Sequence, residues 1–148
     1  MQWSYFVIEP FTVTVNYRQS LKEMIIAGNY DKVDEGINEK LFPFKRRDAV
    51  NTCLNLIKFG KDMTNSEIFR LYEKYNIRSA NAPELLAFSI KYPNKQKKHR
   101  IIALGNTYSM FLGYRISIVE KYTILRTLTM YEFTKRWPKD TKFLTASK

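Results

Sequence analysis

Residues 11–17, FTVTVNY, alternate without a break. Phe11, Val13, Val15 and Tyr17 fall on one side, Thr12, Thr14 and Asn16 on the other. A period of two predicts a half-buried strand. WSYFVI at 3–8 reads as an earlier strand, with Pro10 separating the two. Ser20 followed by Glu23 makes a capping box and Gly28 a stop, which predicts a short helix over 21–27 with Leu21, Met24 and Ile25 inward. Thr64 and Glu67 repeat the capping box. Ile68, Leu71, Tyr72 and Tyr75 behind it recur at helical spacing, a stripe for the core. A third helix follows in NAPELLAFSIKY, with Pro83 suited to its first turn and Pro93 ending it. Between these, AVNTCLNLIKF at 49–59 fits two periods. Its Thr, Val and Ile content and the Gly60 stop favour a strand over a helix. NIRSA around 76–80 reads as a short strand.

The last third is β-patterned. IIAL at 101–104, YRISIV at 114–119, YTILRTLTMYEF at 122–133 and KFLTA at 142–146 are apolar or alternating segments rich in Thr, Ile and aromatics. No internal repeat, heptad pattern or low-complexity linker interrupts the chain. The element order, β–α–β–α–β–α–β–β–β, predicts a single α+β domain over 1–148: a mainly antiparallel sheet with about three helices packed against it.

Several of these stretches together resemble a family of small uncharacterised bacterial proteins. FTVTVNYRQSLKEMIIAGNYDKV, with the Phe42–Pro43 pair beyond it, is similar to that family's opening. PELLAFSIKYP and IIALGNTY are similar to its middle helix and the turn after it, and KFLTASK to its end. The similarity covers most of the chain and is weakest from about 114 to 140. It implies one intact domain and a strand at 49–59, and carries no activity or cofactor. Two departures stand out. PNKQKKHR replaces a shorter, less charged Pro-Asp-Leu-Gln-Arg, and Ala146, Ser147 and Lys148 replace Val-Arg-Lys.

Composition narrows the function. A chain of 148 residues that is 45% hydrophobic and 15% aromatic can bury a core and is not disordered. No apolar run approaches the roughly 18 residues of a spanning helix, and no secretory signal is read at the start. The lone Cys53 is expected to be a buried small hydrophobe, and a single cysteine suits the cytoplasm. The net charge is +11, and its distribution is uneven: residues 1–88 hold 12 Lys and Arg against 11 Asp and Glu, whereas 89–148 hold 13 against 3. Such asymmetry points to a polyanionic partner: nucleic acid, an anionic membrane or an acidic protein.

Motifs for most chemistries are missing. The five glycines are isolated, so no phosphate loop is formed, and one Cys with one His cannot build a zinc set. No cofactor motif or catalytic signature is found. His99 reads as an exposed loop histidine. The carboxylates Asp31, Asp34, Glu35 and Glu39 lack calcium-loop spacing and read as a solvated turn. What remains is basic residues interleaved with aromatics. Lys95, Lys97, Lys98 and Arg100 precede Tyr108, Phe111, Tyr114 and Arg115, and Lys135, Arg136, Trp137 and Lys139 follow Tyr131 and Phe133. Cations neutralise phosphates and aromatic faces stack on unpaired bases. The leading expectation is therefore a non-enzymatic protein that engages RNA or single-stranded DNA through Lys95, Lys97, Lys98, Arg100, Arg115, Lys135, Arg136, Trp137 and Lys139. The alternative is a protein–protein or inhibitor module for an acidic or nucleic-acid-binding partner, and the third reading an enzyme of unrecognised class. KRR at 45–47 is a smaller basic cluster whose place relative to the first depends on the fold.

Overall fold

The capping boxes set the helices where the sequence puts them. Ser20 Oγ accepts from the Glu23 N–H and Thr64 Oγ1 from the Glu67 N–H, with each glutamate returning a bond to its cap. A third box, Asn81 with Glu84, opens the third helix. The computed structural model describes residues 6–97, 99–105, 108–118, 121, 123–131 and 136–148, with backbone alone at 115–117. In chain order the elements are β1 (Val7–Val15), α1 (Leu21–Ala27), β2 (Lys32–Val33), β3 (Val50–Lys58), α2 (Asn65–Lys74), β4 (Ile77–Ser79), α3 (Ala82–Lys91), β5 (Ile101–Ala103), β6 (Ser109–Ser117), β7 (Thr123–Tyr131) and β8 (Lys142–Ser147).

The architecture is α+β. One eight-stranded sheet runs β1-β3-β8-β5-β6-β7-β2, with β4 also paired to β8. It is antiparallel except at β5–β8 and β2–β7. The last strand lies in the middle: Thr145 of β8 faces Asn55 of β3 on one side and Ser79 of β4 on the other. That explains why Phe143 to Ala146 are all buried, since a central strand is covered on both faces.

The residues at 49–59 form a strand, and its two faces feed two cores. Leu54 and Leu56 join Val13, Val15, Leu112 and Leu144 beneath α1 and α3. Ile57 and Phe59 join Ile68, Tyr72, Phe111 and Trp137 on the side of α2. The sheet is thus clad by helices on both faces. Cladding on the α2 side stops short of Cys53, which is exposed rather than buried as expected.

Three boundaries differ from the sequence reading. Pro10 does not separate two strands: β1 runs through it, with Pro10 opposite Asn55. An edge strand accommodates a residue that cannot donate to a ladder. The strand expected at 114–119 begins at Ser109, because Gly113 looks like a break but is paired with Thr127. The two-residue β2 carried no period that sequence could register.

Among the described residues, no helix is long and apolar enough to cross a membrane.

Candidate functional site

The basic stretch at 93–100 is a turn for local reasons. The helix ladder of α3 ends when the Tyr92 N–H bonds to the Phe88 carbonyl at 2.9 Å, and Pro93 cannot extend it. Two tight turns follow, from the Lys95 N–H to Tyr92 O and from the Lys97 N–H to Asn94 O. Lys91 Nζ and the Tyr92 hydroxyl both donate to the Thr12 carbonyl, at 2.8 and 3.0 Å, and so stake this end of α3 to β1.

The chain then enters β5, whose parallel neighbour is β8. The Lys142 N–H donates to the Arg100 carbonyl at 2.9 Å. That bond fastens the 93–100 turn to the 138–141 turn at one end of the sheet. The second turn is held in its own right. Trp137 and Met63 exchange main-chain bonds of 2.7 and 3.0 Å, and the Lys139 N–H donates to Asp62 Oδ1 at 3.0 Å.

Between the two turns lies a cleft of about 270 Å³. It is lined by Gln96, Lys97, His99 and Arg100 of the first turn, by Asp140 and Thr141 of the second, and by Gly113 of β6. The Arg100 guanidinium lies 5.9 Å from the centre of the Phe111 ring. Tyr131 stacks on the far side of this array, 4.5 Å from Phe111 with planes 11° apart, and is 40% exposed. A cation and an exposed aromatic ring thus share one side of the sheet.

The expected site residues divide. Lys97 and Arg100 line the cleft. Lys95 stands apart, in an ion pair with Glu9 at 3.4 Å and over the Phe11 ring. Glu9 also holds Lys142 at 3.2 Å. Burial alone would raise the Glu9 pKa, but the hydrogen bonds and charges of Lys142 and Lys95 together hold it below its ordinary value. Arg136 and Lys139 are exposed. The charge of Arg136 reaches Glu67, whose pKa is lowered chiefly by its bonds at the Thr64 cap. Lys98 and Lys135 lie outside the described residues, as does the Arg115 side chain.

Trp137 is a correction. Its ring is 3% exposed within the α2-side core, and its Nε1–H donates to Asn65 Oδ1 at 2.6 Å. It anchors α2 and presents no face for stacking; Tyr131 does. His99 is a second correction. It is half-buried with Nδ1 enclosed, not exposed. Gln96, buried in the middle of a charged run, carried no sequence signal beyond being the one amide between two lysines.

The other clusters serve the fold. Asp31 accepts from the Arg126 N–H at 2.6 Å, Asp34 from the Gly36 N–H, and Glu39 from the Leu21 N–H and from Arg46. No group of three His, Cys, Asp or Glu among the described residues could hold a metal ion. KRR lies at the other end of the sheet. It precedes Val50, which faces Val15, whereas the cleft end carries Lys58 and Lys142. The nine residues of β3, at roughly 3.4 Å each, set the two clusters about 27 Å apart.

No protein-family model, curated protein or solved structure matches the chain.

Proposed function

We propose that this protein is a non-enzymatic binding protein for single-stranded RNA or DNA in the cytoplasm, using the basic end of the sheet. What carries the reading is the Lys142-to-Arg100 main-chain bond, because it joins the two basic segments of the C-terminal third around one cleft. Cleft and rim hold Lys97, Arg100 and Lys139 against Asp140. Cations so placed gain by releasing counterions from phosphates, and Tyr131 offers a ring to an unpaired base.

The test is fluorescence anisotropy of labelled single-stranded oligonucleotides over a salt series, with nuclease-treated protein. Affinity is expected to fall steeply with salt, and the double variant K97A/R100A to reduce the slope by about 1.4. A flat salt response overturns the reading.

A protein-docking role is the second reading, favoured by one observation. The outer half of the β6–β7 hairpin extends beyond the pairings with β5 and β2, and Ile118 and Ile124 near its end are 76% and 63% exposed. Apolar side chains on a projecting hairpin suit a protein partner.

A further inference from the structure

Three polar atoms in the basic turn are buried without a hydrogen-bond partner among the described residues. They are both amide atoms of Gln96, Nε2 and Oε1, and Nδ1 of His99. Gln96 is 1% exposed, while its neighbours Lys95 and Lys97 are exposed. A buried amide that has given up water and gained nothing opposes folding. Such groups are rare in folded chains, and each calls for a cause. Both residues line the cleft that Lys97 and Arg100 also line.

The unmet chemistry restricts the ligand. A phosphodiester group offers acceptors only, so by itself it would satisfy the cations and the amide N–H and leave Oε1 unpaired. An extended peptide can present one residue's N–H and C=O side by side, but its backbone carries no phosphate for Lys97 and Arg100. A nucleobase edge carries a donor and an acceptor side by side, and a glutamine amide is its two-point complement. The attached phosphate matches Lys97 and Arg100.

We infer that the cleft takes one unpaired nucleotide of the bound strand, its phosphate at Lys97 and Arg100 and its base edge on Gln96. This rests on the proposed polyanion binding and says which part of the strand is read. The volume of about 270 Å³ lies just below the range of ligand pockets, roughly 300–1,000 Å³, and leaves room for no more than a single nucleotide. Asp140, also on the cleft wall, opposes a second phosphate. Gln96 is itself a wall residue, and binding requires its enclosed amide to turn toward the base.

The experiment compares two labelled strands of equal length and phosphate count, one with bases and one abasic, against the parent protein, Q96M and K97A/R100A. The parent is expected to bind the base-bearing strand about tenfold more tightly, the scale of one amide–base pair. Q96M lowers that preference, leaving the part that stacking on Tyr131 supplies, and keeps the salt slope, while K97A/R100A lowers the slope for both strands. Unliganded Q96M melts no lower than the parent, because it loses an amide that has no partner among the described residues. Equal binding of both strands by the parent overturns the inference and leaves the polyanion reading standing. A base preference in Q96M as large as the parent's, or a melting temperature well below the parent's, also overturns it. Failure to bind either strand removes both readings.

Discussion

Arg78 and Glu84 form a two-point ion pair across the start of α3, with Nη1 to Oε1 at 2.7 Å and Nη2 to Oε2 at 2.9 Å. The glutamate side chain is 2% exposed and the arginine 41%. Glu84 Oε1 also closes the third capping box by accepting from the Asn81 N–H at 2.8 Å. The pair therefore ties β4 to the helix that follows it. R78A leaves the carboxylate enclosed without its cation. The expected loss is about 3 kcal/mol, the low end for breaking a buried pair because the arginine is partly in water. The urea midpoint measures it; a loss under about 0.5 kcal/mol would place the pair with ordinary surface ion pairs.

Glu9 couples acid stability to the binding surface. Its pKa is lowered in the fold from 4.5, so its contribution is present above about that pH and lost as the pH falls through the folded value. E9Q is expected to flatten the decline in stability below about pH 4.5. It also releases Lys95 and Lys142, so affinity for a polyanion rises and its salt slope steepens. Denaturation at several pH values and the anisotropy series read the two effects separately.

Trp137 separates stability from binding. W137F loses the bond to Asn65, at an expected cost of about 1–2 kcal/mol, and leaves the affinity for single strands unchanged. Y131A removes the exposed ring and weakens base-bearing strands by about 1–3 kcal/mol. Paired melting and binding curves for the two variants check the assignment; a loss of affinity in W137F at full stability would reverse it.

Tyr72 has a buried hydroxyl with no hydrogen-bond partner among the described residues, and burial pushes its pKa well above the ordinary value. Y72F removes a group that burial penalises and no bond repays. The expected result is unchanged or greater stability, by up to about 1 kcal/mol. A clear fall in the thermal midpoint would mean that the hydroxyl is satisfied.

Local rules read from the sequence placed most elements. The Ser20–Glu23 and Thr64–Glu67 boxes are one-turn devices, and they set α1 and α2 without help from distant residues. Alternation from Phe11 to Tyr17 oriented β1, and the α+β class followed from element order. Those signals depend on neighbours within a few positions, and the tertiary structure left them unchanged.

What only the tertiary structure decided is pairing and burial between distant residues. Pro10 looked like a break until β1 proved to be an edge strand, and Cys53 looked buried until the α2 side of β3 proved uncovered there. Trp137 read as a stacking surface because basic residues surround it, whereas Met63 and Asn65, more than 70 positions away, draw it into the core. The site follows the same division. Sequence showed where positive charge accumulates. It could not show that parallel pairing of β5 with β8 would bring Arg100 to Lys142, nor that Gln96, between the exposed Lys95 and Lys97, would turn inward. Strand pairing joins positions without regard to their separation along the chain, so no local period records it.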